Sequence, residues 1–240
     1  MKFKISLVTG TLNRLDSIIK LIEQVTSATD QIQIVVVDGG SIDGTQDYLK
    51  SLKNNQVKPI LFGERSPYPS FMNLGIKNSD AEYIMQFNDD ALFATSINQI
   101  INSIEDNDVV VFNWKEGNYS DINNPEWHYG DDHKDGFCLV EPNIDEDGNL
   151  NALVNYGIYR KKIFSEIGLY YHKFQYYFCD HEMALRAYHN NYKFSTRRDI
   201  KILVPFCEKK AIYHESDLIL FKSLVNQYSL KLFPVDFDFI

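Results

Sequence analysis

Apolar residues recur along this chain in two alternating rhythms. Short apolar-rich runs alternate with stretches whose apolar positions fall three and four residues apart. The runs at 3–8, 32–37, 57–62, 82–87 and 109–112 predict strands. Apolar runs of this kind read as buried parallel strands. Between the first two, 14–27 sets Leu15, Ile18, Ile19, Ile22 and Val25 at helical spacing. Further helices are expected at 43–52, capped by Ser41 or Asp43, at 70–77, after Pro67 and Pro69 bar an earlier start, and at 95–105. The alternation predicts an α/β fold, with a mostly parallel central sheet flanked by helices and joined by right-handed crossovers.

The rhythm breaks at Asn113. Residues 113–150 are polar, acidic, rich in Asn and Gly, and carry both tryptophans, Trp114 and Trp127. Ordinary loops are far shorter. The segment reads either as unstructured or as a functional excursion with short strands such as 137–140, and the tryptophans favour partial order. Beyond it the pattern predicts a strand at 156–159 and helices at 161–167 and 180–189. Strands near 202–205 and 211–213 follow, then a helix over 218–231. The last residues, 233–240, alternate apolar and acidic, as an edge strand or a disordered tail would.

Composition narrows the function classes. The chain has 240 residues, 44% hydrophobic, with 16 Phe and 15 Tyr to fill a core and line pockets. A net charge of −9 argues against a nucleic-acid partner. A phosphorylated ligand stays compatible with it if a metal ion supplies positive charge. Cys138, Cys179 and Cys207 are odd in number and lack C-x-x-C spacing, which fits reduced thiols in the cytoplasm. The N-terminal segment reads as a strand rather than a signal peptide. No apolar stretch approaches the roughly 18 residues of a membrane span; peripheral membrane contact and oligomeric state stay open.

The candidate chemistry lies at two acidic strand ends. One run enters Asp38-Gly39-Gly40-Ser41-Ile42-Asp43-Gly44-Thr45, and another enters Asn88-Asp89-Asp90. Ligands of open α/β sheets bind outside the carboxyl ends of such strands. Two acidic clusters there point to one site for a nucleotide and a hard divalent cation. Taken singly, each is also ordinary turn chemistry. Asp38 offers its carboxylate to a base or ribose, and Gly39 and Gly40 let backbone approach the ligand. A third cluster, Cys179-Asp180-His181-Glu182 with Arg186, opens a helix, where acidic residues also simply favour the dipole. Arg186 lies four beyond Glu182, the spacing of a plain helical ion pair. His214 follows 211–213, and a lone histidine is more often structural than a ligand.

Together these clusters resemble the family-two glycosyltransferases with the GT-A fold. The ordered series begins with Thr9-x-Thr11-x-Asn13-Arg14 and Val37 to Thr45. It continues through Met72-Asn73-Leu74-Gly75-Ile76 and Glu82-Tyr83-Ile84 to Asn88-Asp89-Asp90. It ends with Phe164 to Tyr170, Asp180 to Arg186, and Ile212-Tyr213-His214. The resemblance covers residues 3 to about 215 apart from the excursion. It implies one GT-A-like domain over 1–240, with a nucleotide-binding half at 1–112 and an acceptor-side half at 151–240. It implies an inverting transferase that moves a sugar from a nucleotide-sugar, with UDP-sugar the leading donor, to a carbohydrate or glycoconjugate hydroxyl. Thr9, Thr11 and Arg14 would lie beside the nucleotide and Asp38 on its base or ribose, while Gly39, Arg65 and Asn73 would border the donor. Asn88 and Asp89 would lie at the diphosphate, with Asp90 and His214 ligating manganese or magnesium. Asp180 would be the catalytic base, with Glu182 the alternative. Asn88 departs from the usual first Asp, and Cys179 stands where an acidic residue often precedes the base. A sugar nucleotidyltransferase and a non-catalytic binding module are the alternatives.

Overall fold

The computed structural model describes residues 3–104, 106–117, 143–144, 150–151, 154–205 and 214–229. Strands β1 (Ile5–Thr11), β2 (Ile32–Asp38), β3 (Val57–Leu61) and β4 (Tyr83–Gln86) form where the apolar runs predict them. Alternate residues enter different cores: Ile5, Leu7, Ile34 and Val36 one, Val8 and Val35 the other. Helices α1 (Leu15–Ala28), α2 (Thr45–Ser51) and α4 (Ile97–Asn102) cover the first face. Helices α3 (Tyr68–Lys77), α5 (Lys162–Glu166), α6 (Cys179–His189) and α7 (His214–Ser229) cover the second. Burial on both faces is why β1, β2 and β4 are rich in apolar residues, each large side chain contributing about 1.5–3 kcal/mol.

Eight strands share one sheet in the order β3-β2-β1-β4-β9-β6-β10-β5. The newcomers are β5 (Leu92–Phe93), β6 (Val109–Gly117), β9 (Gly157–Arg160) and β10 (Phe194–Pro205). The first four strands in this order are parallel, as is the β6–β10 pair. The parallel rhythm does not continue from β4 to β6. Instead β9 lies between them, antiparallel to both, and β5 runs antiparallel to β10. An antiparallel return needs no crossover helix, so nothing in the helix pattern announces this insertion. A separate ribbon pairs β7 (Asn143–Ile144) with β8 (Leu150–Asn151).

Two boundaries move from their expected positions. The sheet does not stop at 112: Asn113, Trp114, Lys115 and Glu116 pair with Lys201, Ile202, Leu203 and Val204. This follows from the length of β10, which begins at Phe194 rather than 202 and shifts register between Arg197 and Lys201. Helix α3 starts at Tyr68, with Pro67 as its cap residue. Pro69 falls in the first turn, where the missing N–H has no intrahelical partner to lose. The expected strands at 137–140 and 211–213, and the 233–240 tail, lie outside the described residues.

Helix α3 approaches β1 closely. A Cβ on Gly75 would stand 2.3 Å from Val8 Cγ1, and one on Gly10 would stand 2.6 Å from the Phe71 ring. Gly75→Ala gains helix propensity of about 1 kcal/mol but drives a methyl into a buried side chain. Overpacking costs about 1–3 kcal/mol and dominates here. The variant is expected to unfold at lower urea concentration than the parent, measured by circular dichroism.

Candidate active site

The site begins where β1 and β2 end side by side. Gly39 N–H donates to the Thr11 carbonyl at 2.9 Å, extending the ladder one residue past Asp38. Beyond that the two loops are stitched by side chains. Asn13, in the left-handed region at φ 54°, accepts the Ile42 N–H at 2.8 Å and donates its own N–H to Ser41 Oγ at 2.8 Å. Asp43 accepts the Leu15 N–H at 3.0 Å and the Thr45 N–H at 3.1 Å, serving the first residues of α1 and α2 together. The Thr45 hydroxyl, bonded to the same carboxylate, holds Asp43 below the usual carboxylate pKa. Gly40, at φ 91°, is needed for the fold rather than for a ligand: a Cβ there would stand 2.6 Å from the Gly63 carbonyl oxygen.

Asp38 is fully buried at this turn. Its Oδ1 accepts the N–H groups of Gly40 and Ser41, both at 3.0 Å. Its Oδ2 is buried and has no hydrogen-bond partner among the described residues. An unsatisfied buried carboxylate oxygen is costly, and here it sits beside Val37 and Gly39, which line an adjacent cleft.

That cleft has a volume of about 330 Å³ and is walled by Thr11, Arg14, Arg65, Tyr68, Asp89 and Tyr176 among others. Asn88 and Asp90 also face it. Thr11 Oγ1 donates to Asp89 Oδ2 at 2.9 Å. Arg14 Nη1 pairs with Asp90 Oδ2 and lies 3.9 Å from Asp89 Oδ1. Asp89 and Asp90 are both buried. Burial pushes the Asp89 carboxyl up to about 6; Asp90 adds to the shift, and Arg14 and Thr11 oppose it. Asn88 Nδ2 donates to the Tyr156 hydroxyl at 2.7 Å, a bond an ionised aspartate would be unable to donate.

Tyr176 reaches the cleft from the segment 175–178, which leads into α6; Asp38 and Asp180 are not among the residues that line it. Asp217 of α7 is buried and gathers three backbone N–H groups, from Gln175 at 3.0 Å and from Tyr176 and Tyr177 at 2.8 Å each. Phe221, one turn further along α7, stacks on Phe178 at 5.4 Å. Tyr68 N–H donates to the Gln175 carbonyl at 2.9 Å and ties the segment to α3. Asp180 follows on the first turn of α6, with its side chain 17% exposed. Burial raises its pKa, but the His181 ring and N–H, both bonded to Oδ1, outweigh burial and hold it below the usual carboxylate value. The carboxylate is therefore ionised at neutral pH, as a proton acceptor must be.

Several expected site residues have other duties. Glu182 is fully buried, and both its oxygens bind Arg186, at 2.9 Å each. It is enclosed in this ion pair and presents no accessible atom to the cleft. Asn73 is also no part of the cleft wall: its amide donates to the Tyr170 carbonyl at 2.8 Å and accepts the Tyr170 N–H at 3.0 Å. Thr9 is buried inside the sheet, its hydroxyl on the Gly10 carbonyl, and does not line the cleft. Thr11, Arg14, Gly39, Arg65, Asn88, Asp89 and Asp90 do line it. His214 begins α7, and its side chain lies outside the described residues. Among the described residues, no three His, Cys, Asp or Glu side chains cluster as a metal site, and no helix is long and apolar enough to cross a membrane. Asp217 is not singled out by the sequence, where it looks like any acidic residue in a helix's first turn.

A model of glycosyl transferase family 2 matches residues 6–185. Comparison with curated protein sequences finds no match. Among solved structures, S. aureus TarS 1-349 in complex with UDP-GlcNAc superposes with a TM-score of 0.62 at 17% identity, over 87% of this chain and 60% of that one. The mannosyltransferase PcManGT from Pyrobaculum calidifontis, in complex with GDP-Man and Mn2+, superposes with a TM-score of 0.62 at 13% identity, over 96% of this chain and 65% of that one. The chain thus spans less than two thirds of the length of either structure. Both superpositions report on fold.

The raised Asp89 pKa has a measurable consequence in metal-free protein. The folded state takes up a proton near pH 6, and the unfolded chain near 3.8. Between those values the folded state binds more protons, so stability falls as pH rises from about 4 to about 6. The fall is on the order of 2–3 kcal/mol. Asp89→Asn is expected to flatten that part of the profile, as read by urea unfolding at half-unit steps from pH 4 to pH 7.

Proposed function

This chain belongs to glycosyl transferase family 2, and we propose that it is an inverting transferase moving a sugar from a nucleotide-sugar to an acceptor hydroxyl. The observation that carries the reading is the convergence on one sheet edge of three strand ends. β2 brings Asp38 with its unpaired Oδ2, β1 brings Thr11, and the end of β4 leads into Asp89 and Asp90. The buried Asp38 oxygen needs a donor that the described protein does not supply, and a base N–H or ribose hydroxyl would satisfy it. UDP-sugar is the leading donor. TarS was solved with UDP-GlcNAc and PcManGT with GDP-Man, so a nucleoside-diphosphate sugar suits the class.

Asp180 is the general base in this reading. Its carboxylate takes the acceptor hydroxyl proton as that oxygen bonds to the donor's anomeric carbon. The bond from that carbon to the diphosphate breaks on the opposite side, and the nucleoside diphosphate departs with the electron pair. Arg14 and Arg65, both on the cleft wall, supply positive charge toward the diphosphate. Tyr176, 46% exposed at the lip, offers an aromatic face to a sugar ring.

The residues present fit a divalent cation. Asp89 and Asp90 offer hard oxygens in a shared cleft, and burial leaves the pair short of positive charge. When bound there, manganese or magnesium would act as a Lewis acid that offsets charge on the leaving diphosphate.

Asp180→Asn is expected to reduce transfer at least about a hundredfold while leaving donor binding intact. Turnover of purified protein and a thermal-shift panel of UDP, GDP and their sugars with Mn2+ test both halves. An upward shift with one nucleotide names the base of the donor, because a ligand stabilises the state it binds. Near-normal turnover by the variant would remove Asp180 from the role.

A further inference from the structure

Arg14 is the cation that the acidic pair holds in this structure. Its guanidinium enters the cleft from the residue just before α1. Nη1 pairs with Asp90 Oδ2 and lies 3.9 Å from Asp89 Oδ1. The remaining Asp89 oxygen, Oδ2, is engaged by the Thr11 hydroxyl at 2.9 Å. One cationic nitrogen thus faces an oxygen from each carboxylate. The Arg14 side chain is 38% exposed, against 11% and 7% for the two aspartates. It is the member of the cluster with room to move.

We propose that Arg14 is an exchangeable internal counter-ion, which occupies the acidic pair in metal-free protein and yields it when a divalent cation binds, turning to the donor's diphosphate. The proposal rests on the donor and metal reading above. Its physical basis is competition. Two buried carboxylates need a cation, and a guanidinium and a divalent ion repel each other within one small site. An Arg14 guanidinium released from the acidic pair is a cation on the cleft wall that an anion can receive, and the diphosphate is that anion. Metal and nucleotide therefore help one another bind through Arg14. By linkage the help is equal in both directions. Metal entering alone must work against the Arg14 pair, which disfavours loading without the donor.

Mn2+ titration followed by the electron paramagnetic resonance of the free ion tests this directly. Wild type, Arg14→Gln, Arg14→Met and Arg14→Lys are compared with and without UDP or GDP, whichever the wild type binds. The uncharged variants are expected to bind Mn2+ alone about tenfold more tightly than wild type, because the competitor is gone. The tightening of Mn2+ by nucleotide, expected to be at least about fivefold in wild type, should shrink to about twofold or less. Arg14→Lys keeps a cation and should stay near wild type. The second uncharged variant guards against a folding defect peculiar to glutamine, and melting curves without metal confirm that each protein is folded. The exchange is overturned if both folded uncharged variants bind Mn2+ alone no more tightly than wild type, or if nucleotide tightens Mn2+ equally in all four proteins. Nucleotide binding with no Mn2+ binding by any variant overturns the exchange and leaves the donor reading in place. Binding of neither overturns both.

Discussion

Two adjacent carboxylates buried at one sheet edge are the charge around which this molecule is arranged. Asp89 and Asp90 leave the end of β4 with little solvent to screen them. Burying like charges this close is unfavourable without partners. The partners come from β1 and the loop after it: the Thr11 hydroxyl for one acid, the Arg14 guanidinium for both. That loop is in turn held to the β2 turn by Asn13, Ser41 and Asp43. The three strand ends therefore stand in a fixed relation before any ligand arrives. Groups held in place in this way need no reorganisation when a charged ligand arrives.

The opposite wall is held by a different set of buried polar groups. Arg186, fully paired with Glu182, also donates to the carbonyls of Ile167 and Leu169. Asn73 joins α3 to the backbone of Tyr170. Asp217 collects the N–H groups of 175–177 and sets the approach to Asp180. Each of these side chains closes an open count of backbone donors or acceptors in a segment without regular structure. Polar networks with every member satisfied give a unique geometry, which is what a loop bordering a reaction site requires.

The first four strands were legible in the sequence because their rules are local. Buried strands write apolar-rich runs, and β1 to β4 stand within a few residues of their expected places. The acid pair and Asp38 stand out in the sequence as strand ends, where ligands of such sheets bind. The long-range choices left less trace. A four-residue strand such as β9 looks the same whether its neighbours run parallel or antiparallel. The full length of β6 and β10 depends on their mutual pairing and is not set by either segment alone. Asn73 and Glu182 lie within motif positions that pointed to the site, yet their hydrogen bonds go to Tyr170 and Arg186. A motif records that a residue is needed, and only the packing shows for what.

The position of β9 bears on how the chain comes together during synthesis. β9 hydrogen-bonds to β4 on one side and β6 on the other, yet it follows both in sequence. Until residues 157–160 have left the ribosome, β4 and β6 each have an unpaired edge, and open edges invite association with other chains. Strands β1, β2 and β3 have their neighbours early. β6 keeps its other edge open until β10, residues 194–205, has followed β9, so the seam across the sheet closes in two steps, β9 first and β10 second.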